Sequence, residues 1–391
     1  DLKMRRKITG RRANRTWNKQ QVSSFCTVLW IVCCLAFFVR TGFPWSANRP
    51  QDQPIKTLSE TIVLSNGKRI PRIGLGTWKA SSEMVSTAVK FAISVAGYKH
   101  IDCASRYGNQ KSMPFDSLFA QEHESRVKRE DVYITSKLWN TNHGPGDVMK
   151  AMETTLKDLK LSYVDLYLMH WPVALYRRPW KAKHPQTKCN FSTVDWECDD
   201  EWRFDVSLES TWAQMEALVY SGRTRSIGVS NFNVNSLKRL MKIARIKPVV
   251  NQIELHPYLI QSELMDFCRE NNIQIVAYCP IGSPGNAALA GDHLRQSTLI
   301  HNPIINRIAS IHKKSPAQII LRWALQQDIV VIPKSTNLEH IQQNIDVYNF
   351  YLDAEDMSQI NSLQKAHIRY VPTSHTLFGR RISEETFWNS D

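Results

Sequence analysis

The stretch GYKHIDCASRY, residues 97–107, decides the fold that the sequence predicts. An apolar, strand-like run ends there at Asp102, and Tyr107 follows five residues later. Two later apolar runs also end in titratable groups, one at Lys137 and the other at His170. Because the carboxyl ends of parallel strands meet at one edge of a sheet, we expect these four side chains to converge. The pattern therefore predicts a catalytic rim built from successive strands.

Short apolar runs alternate with amphipathic helical stretches, which predicts repeated βα units around a parallel sheet. Eight such runs, the number in a closed (β/α)8 TIM barrel, lie at residues 73–77, 98–104, 132–138, 164–170, 226–231, 249–255, 273–278 and 329–333. An Asn-Gly pair at residues 66–67 predicts a preceding β-hairpin with a type I′ turn. A doubly wound sheet is the alternative, but GLG at residues 74–76 lacks the third glycine of a dinucleotide-binding turn. We therefore expect an α/β barrel over residues 60–391.

The residues before this barrel differ from it in composition. Residues 1–20 form a basic arm that holds half of the formal net charge of +14. Residues 21–39 include an uncharged apolar run, 22–39, just long enough for a transmembrane anchor, and residues 40–59 have the composition of a linker. A cleavable signal peptide is the alternative, although no clean cleavage site follows. With its basic arm, the anchor predicts a single-pass membrane protein with a cytoplasmic N-terminus. If the mature form lacks the N-terminal segment, we expect a cytosolic protein instead.

Other partner classes find little support in the residues. Outside its arm the chain is only mildly basic and has no basic stripe interleaved with aromatic residues, so we expect no nucleic acid. Because no closely spaced His/Cys set has the spacing of a zinc site, we expect no metal. The expected partner is a small molecule, and the expected state is a monomer.

Several long motifs resemble those of the aldo-keto reductases. They are GLGTW at residues 74–78, HIDCA with the following Tyr107 at 100–107, SKLW at 136–139, DLYLMHWP at 165–172, SIGVSNFN at 226–233, NQIELHPY at 251–258 and IPKS at 332–335. The resemblance implies a TIM barrel that reduces aldehydes or ketones to alcohols with NADPH, with NADH also accepted. It also implies a catalytic tetrad of Asp102, Tyr107, Lys137 and His170. The alternative is a membrane-associated, nucleotide-binding scaffold of the same fold with little turnover.

The chemistry of these four residues agrees with that resemblance. Carbonyl reduction places negative charge on the oxygen, so a proton donor must point at it. Tyr107 is the expected donor, and the Lys137 ammonium, held in place by Asp102, is expected to lower the pKa of the phenol. His170, as a neutral imidazole, is expected to orient the carbonyl oxygen. A purely structural ion pair between Lys137 and Asp102 is the alternative.

The resemblance also implies a cofactor site along the rim. The residues that would hold NADPH are Ser230, Asn231, Gln252 and Tyr278 at the nicotinamide, Ser283 along the pyrophosphate, and Lys334, Ser335, Thr336, His340 and Asn344 at the adenosine phosphate. The family usually has an arginine where this chain has His340, and a histidine cannot form the two-pronged hydrogen bond of a guanidinium. We therefore expect weaker discrimination between NADPH and NADH than is usual in the family.

Two further expectations concern the surroundings of Tyr107. By the resemblance, Trp78, Trp139 and Trp171 would wall an apolar substrate pocket. Residues 109–114 read NQKSMP, whereas the family typically continues Asn-Glu-x-x-Val-Gly after its tyrosine. This departure puts in question how rigidly Tyr107 is supported.

Overall fold

The computed structural model describes residues 60–120, 127–175, 205–283 and 298–371. All of these belong to one compact unit, Ile55–Asp391. The predicted arm, membrane anchor and linker, which together make up residues 1–59, lie outside the described residues. The fold below is therefore that of the predicted barrel.

A two-stranded antiparallel hairpin, β1 (Thr61–Val63) and β2 (Arg69–Pro71), precedes the barrel, as predicted. The predicted turn type is wrong, because type I′ needs positive φ at both central residues and only Gly67 has it here, at 77°. The Gly67 N–H donates to the Leu64 carbonyl at 2.9 Å, and the Leu64 N–H donates to the Lys68 carbonyl at 2.8 Å. The glycine therefore ends a longer turn instead of occupying its centre.

Eight parallel strands form the central sheet. In chain order, and paired in that order, they are β3 (Leu75–Gly76), β4 (His100–Asp102), β5 (Tyr133–Leu138), β6 (Leu166–Met169), β7 (Ile227–Ser230), β8 (Val250–Glu254), β9 (Gln274–Tyr278) and β10 (Val330–Val331). Parallel bridges from Ile73 to Val331 and from Gly76 to Lys334 join the two outermost strands. A Cβ at Gly76 would lie 2.8 Å from the Ile332 carbonyl oxygen, so this close approach requires glycine. The sheet is thus a closed barrel, and the alternative of an open doubly wound sheet is wrong.

Helices surround the sheet and cover its outer face. Within the described ranges they are α1 (Ser82–Ser94), α2 (Phe115–Phe119), α3 (Asp147–Leu159), α4 (Leu208–Tyr220), α5 (Val234–Ile243), α6 (Ser262–Glu270), α7 (Pro303–His312), α8 (Pro316–Leu325), α9 (Leu338–Ile345) and α10 (Ala354–Asn361). Several of these helices have an N-terminal side-chain cap. Ser81 accepts from the Met84 N–H, and Ser315 forms a capping box with Gln318. Their buried faces and the outward residues of the strands form the main hydrophobic core.

A second core fills the barrel interior and includes residues of the hairpin. Leu64 and Ile70 of the hairpin pack there with Tyr133 and Val250, which begin β5 and β8. The side-chain amide of Asn66 also donates to Ser226, just before β7, at 2.9 Å. The hairpin therefore closes the amino-terminal end of the barrel, and the carboxyl ends of the strands face the opposite side.

The localisation predicted from the sequence, a single-pass membrane protein, is corrected. None of the helices in the described ranges is long and apolar enough to cross a bilayer. The longest have 13 residues, about 20 Å at 1.5 Å per residue, against a hydrocarbon layer of about 30 Å. They are also amphipathic, since each packs one face on the barrel. The predicted anchor itself, residues 22–39, lies outside the described part of the chain.

Candidate active site

The four tetrad residues lie together at the carboxyl ends of three neighbouring strands. Asp102 ends β4, Lys137 is the penultimate residue of β5 and His170 follows β6 directly. Tyr107 ends a short 3-10 turn, Ser105–Tyr107, that continues from β4. The barrel thus produces the convergence that the strand ends predicted.

Lys137 is the central residue of this group. Its ammonium donates to Asp102 Oδ1 at 2.5 Å, to the Cys103 carbonyl at 3.1 Å and to the Tyr107 hydroxyl oxygen at 3.0 Å. An ammonium has three N–H donors and no acceptor, so these bonds use all of them. The side chains of Lys137 and Asp102 are 0% and 2% exposed, which holds the pair out of bulk water.

These bonds give the network a fixed direction. The second oxygen of Asp102, Oδ2, accepts from the Gln252 side-chain amide at 2.8 Å, so both carboxylate oxygens are occupied. Because Lys137 only donates, the Tyr107 oxygen accepts from it, and the phenol cannot direct its own proton back at the ammonium. The proton of Tyr107 is therefore left for an acceptor in the cleft.

The pKa of Tyr107 differs from the sequence-based expectation. Burial, followed by the nearby Asp102 carboxylate, raises the pKa of this phenol well above its usual 10.0. The predicted net lowering is therefore wrong, because burial has the largest influence on the pKa of this phenol. The phenol stays protonated at neutral pH, as a proton donor must. The Lys137 ammonium, 3.0 Å from the Tyr107 oxygen, would stabilise the phenolate once the proton has left.

His170 lies beside the phenol as a neutral imidazole, in agreement with the prediction. Burial lowers its pKa well below 6.5, and the positive charges of Lys137 and Arg106 lower it further. Its ring lies edge-on to Tyr107, with centroids 5.9 Å apart, and to Trp139, at 5.3 Å. A neutral ring can donate one hydrogen bond into the cleft without adding charge.

The segment after Tyr107, which departs from the family pattern, is firmly anchored. The side-chain amide of Asn109 donates to the carbonyls of Thr77 and Ala80, each at 2.9 Å. The Gln110 side-chain oxygen accepts from the Ser136 hydroxyl at 2.7 Å, next to Lys137 in β5. Asn109, which matches the family pattern, therefore ties this segment to the residues after β3, and Gln110, which departs from it, ties the segment to β5.

A cleft of about 890 Å³ runs from the tetrad across the rim of the barrel. The tetrad residues Asp102, Tyr107 and His170 line it, together with all ten predicted cofactor residues: Ser230, Asn231, Gln252, Tyr278, Ser283, Lys334, Ser335, Thr336, His340 and Asn344. Trp78 and Trp171 also line it. Trp139 and Lys137 do not line it: the Trp139 ring contacts His170 edge-on, and the Lys137 ammonium donates to the Tyr107 oxygen. Only two of the three predicted tryptophan walls thus face the cleft.

The polar residues of the cleft that lie near the tetrad also hold one another. Asn231, with a positive φ of 62°, donates to the His170 carbonyl at 3.0 Å and accepts from the Tyr278 hydroxyl at 2.8 Å. The Ser230 hydroxyl donates to the Gln252 carbonyl at 2.8 Å. These side chains therefore position Tyr278 and the strand ends as well as facing the cleft.

The opposite end of the cleft is suited to an anion. Desolvation lowers the pKa of Lys334, and its ammonium makes no hydrogen bond or ion pair with any residue of the described ranges. His340 and Asn344 lie nearby on α9, with Asn344 buried and His340 exposed. A cation that lines the cleft and has no anionic partner in the described ranges fits a phosphate group. This end of the cleft therefore fits the 2′-phosphate of NADPH.

Arg106, which lies between Ser105 and Tyr107, is not among the site residues predicted from the sequence. Its guanidinium carbon lies 4.9 Å from the ring centroid of Trp139, and the residue lines the cleft. The signal was present in the sequence, because a cation directly precedes the predicted proton donor at a position that the motif leaves variable.

The barrel and its rim together define a class of protein, the reductases that act on carbonyl groups with a nicotinamide cofactor. Residues 72–365 match the model of the "Aldo/keto reductase family". The chain belongs to this family, and it is an NADP-dependent oxidoreductase that uses NADPH.

Individual relatives agree with this assignment. The chain is 41% identical over 325 residues to "Aldo-keto reductase family 1 member A1" of Gallus gallus, covering 83% of this chain and 94% of that one. It is 40% identical over 324 residues to the Homo sapiens protein of the same name, covering 83% and 95%. Among solved structures, aldose reductase from Schistosoma japonicum matches with a TM-score of 0.67 and 35% identity, covering 84% of this chain and 96% of that one.

Proposed function

We propose that the protein reduces aldehydes and ketones to alcohols with Tyr107 as the proton donor. The observation that supports this most directly is the hydrogen bonding of Lys137, whose three donors are all in use and one of which reaches the Tyr107 oxygen. Burial keeps the phenol protonated before the reaction, and the ammonium stabilises the phenolate afterwards. A purely structural ion pair between Lys137 and Asp102 would not need the hydrogen bond from Lys137 to Tyr107.

Each residue of the tetrad has its own role in the proposed reaction. When bound, NADPH supplies the hydride that reduces the carbonyl carbon. His170 donates to the carbonyl oxygen and fixes its direction, and the Tyr107 proton moves to that oxygen as negative charge develops there. Lys137 stabilises the phenolate that remains, while Asp102 and Gln252 hold the lysine in position. These groups lie on one chain, so the reaction requires no residue from a second copy, and we expect a monomer.

The remaining rim residues would hold the cofactor. Tyr278 would stack on the nicotinamide beside Ser230, Asn231 and Gln252, and Ser283 would lie along the pyrophosphate. At the other end, the residues that would contact the adenosine phosphate are Lys334, Ser335, Thr336, His340 and Asn344. Trp78 and Trp171 would contact the substrate.

Turnover distinguishes this function from that of a nucleotide-binding protein of the same fold. We expect the purified protein to oxidise NADPH when an aldehyde is added, across a panel of aldehydes and ketones. Quenching of NADPH fluorescence without aldehyde-dependent oxidation would instead favour a protein that binds the cofactor and does little chemistry.

The pH dependence of the reduction follows from the two shifted pKa values. His170 is neutral above a pKa well below 6.5, and Tyr107 is protonated below a pKa well above 10.0. Both groups therefore hold the active protonation state between about pH 6 and pH 9. At saturating NADPH, kcat/KM for an aldehyde should be nearly flat across this range. An acid limb near pH 6.5 that disappears in His170→Gln would contradict the assignment of a neutral imidazole.

The choice between NADPH and NADH tests the role of His340. A guanidinium there would add a two-pronged, charge-assisted bond to a 2′-phosphate. We expect His340→Arg to raise the ratio of NADPH to NADH affinity by about tenfold, as a gain of about 1.4 kcal/mol gives. Fluorescence titration with each cofactor measures that ratio.

Gln342→Arg is the matched control, because Gln342 is exposed on the same helix but does not line the cleft. It adds the same charge nearby without the same contact. If both variants raise the ratio equally, long-range charge explains the effect and His340 does not face the phosphate.

A further inference from the structure

Tyr370 contacts two separate stretches of the chain that form the wall of the cleft. One stretch follows β9 and includes Gly282, and the other begins at Leu299. Neighbours of these two residues line the cleft, namely Cys279, Pro280, Ile281 and Ser283 in the first stretch and Ile300 and His301 in the second. Tyr370 is 4% exposed and does not itself line the cleft. Any effect of Tyr370 on a bound cofactor must therefore pass through these two stretches.

The contact at Gly282 leaves no room for a side chain. Gly282 has a positive φ of 78°, and a Cβ placed on it would lie 3.0 Å from Leu299 Cβ and 3.1 Å from Tyr370 Cε2. The Tyr370 hydroxyl oxygen would be 3.3 Å away. These distances are shorter than ordinary van der Waals contacts, so the backbone approach requires glycine. The two stretches of wall and the Tyr370 ring thus meet at one point.

The phenol of Tyr370 also interacts with the backbone of the second stretch. Burial is the main cause that raises the pKa of this phenol above its usual 10.0, and a hydrogen bond with the Leu299 backbone opposes the shift. A hydrogen bond that favours the ionised phenol is one donated to its oxygen, so the Leu299 N–H is the donor. Leu299 begins a 3-10 turn, Leu299–His301, and the first N–H groups of such a turn need partners from outside it.

The end of β8 holds Tyr370 on the barrel. Glu254 Oε1 accepts from the Tyr370 backbone N–H at 2.6 Å, and Glu254 Oε2 accepts from the Val371 N–H at 3.0 Å. His256 Nε2 donates to the same carboxylate at 3.0 Å, and the His256 ring centroid lies 5.0 Å from that of Tyr370. Both side chains of this Glu254–His256 pair are 0% exposed. Tyr370 is therefore fixed to a barrel strand from one side while it contacts the cleft wall from the other.

From these contacts we propose that Tyr370 is a positioning residue for the cofactor. It fixes Gly282 and Leu299 against the barrel, and it thereby slows the dissociation of NADPH from the cleft. A wall that is already ordered loses less conformational freedom when a ligand binds, and differences of this kind are expressed mainly in the dissociation rate. This role concerns the release of the cofactor and is independent of which residue donates the proton.

Tyr370→Phe tests the role, because it removes only the hydroxyl and keeps the ring against Gly282 and His256. We expect the dissociation rate of NADPH to rise by about tenfold, the factor that a loss of about 1.4 kcal/mol gives. Stopped-flow fluorescence measures this rate when the NADPH complex is mixed with excess NADP+. The rate of a single turnover at saturating NADPH should change by less than about twofold, because the tetrad is unaltered.

The matched control is Tyr351→Phe, which removes a hydroxyl from a tyrosine that is 44% exposed and does not line the cleft. It should leave the dissociation rate as it was. An unchanged dissociation rate in Tyr370→Phe would overturn the proposal, although the proposed function would stand. Equal losses of NADPH affinity and single-turnover rate would also overturn it, because Tyr370 would then only support the fold.

Two glycine variants test the same contact without any change to Tyr370. The added methyl group of Gly282→Ala would press on Tyr370 and Leu299, so NADPH should dissociate faster. Gly222→Ala is the matched control, because Gly222 has a similar φ of 71° and an added Cβ there would meet nothing within 4 Å. It imposes the same backbone strain without the contact, and it should leave the rate unchanged.

The glycine variants also decide the question if Tyr370→Phe does not fold. Equal dissociation rates in Gly282→Ala and Gly222→Ala would overturn the proposal. If Tyr370→Phe does fold, Gly282→Ala combined with it should release NADPH no faster than the faster single variant, since two changes at one contact are not additive. Additive effects would mean that the two residues act separately. If the unchanged protein reduces no aldehyde, the proposed function fails, and the dissociation rates still test the role of Tyr370.

Discussion

Tyr107→Phe is expected to lower kcat for aldehyde reduction by about three orders of magnitude, within the range for the loss of a general acid. The phenylalanine keeps the ring and its edge-on contact with His170, and removes only the oxygen that accepts from Lys137. NADPH affinity should change by less than about threefold, because Tyr107 belongs to the reacting end of the cleft. Steady-state rates with one aldehyde and a fluorescence titration with NADPH provide the two measurements.

The matched control is Tyr220→Phe, which removes a hydroxyl from a tyrosine that is 74% exposed at the end of α4. It should behave as the unchanged protein does. If Tyr107→Phe keeps more than about a tenth of the activity, another group or water donates the proton, and the assignment of the donor is wrong.

Lys137→Met is expected to cost both stability and activity. It leaves the Asp102 carboxylate buried, with Gln252 as the side-chain donor that still reaches it. Removal of one partner of a buried ion pair typically costs about 3–5 kcal/mol, so a large fall in the unfolding midpoint should follow. The phenolate of Tyr107 also loses its stabilising cation, so kcat should fall by about a hundredfold or more.

A double variant separates these two effects. Asp102→Asn with Lys137→Met removes both charges and keeps an oxygen for Gln252, so most of the lost stability should return while the activity does not. Recovery of activity together with stability would show that the pair is structural. Lys150→Met, which breaks an exposed pair on α3 with Asp147, should change neither quantity appreciably.

The fold could be predicted because its signals are local. Apolar runs mark all eight barrel strands, and the titratable residues that close these runs lie at one rim because parallel strands end on the same side. The amphipathic stretches between these runs form helices, among them α4 and α6. The predicted type of the hairpin turn was wrong, because an Asn-Gly pair does not reveal whether the glycine lies at the centre of a turn or at its end.

What could not be predicted depends on packing between distant residues. The pKa of Tyr107 follows from burial as well as from its charged neighbours, and burial at a rim is set by the whole barrel. The bond from Gln252 to Asp102 joins residues 150 positions apart, and no pattern in the sequence indicates it. The sequence also does not show that Trp139 is absent from the cleft lining, because a motif marks a strand end and not the direction of each side chain.

Transfer of an isotope label tests the central claim most directly. With NADPH deuterated at the transferable position and an aldehyde in excess, we expect one alcohol per NADPH oxidised, with deuterium on the carbinol carbon of each product molecule. Tyr107→Phe should bind the labelled cofactor and form almost no labelled alcohol in the same time. Cofactor binding without labelled alcohol from the unchanged protein, or equal labelling by Tyr107→Phe, would contradict the account.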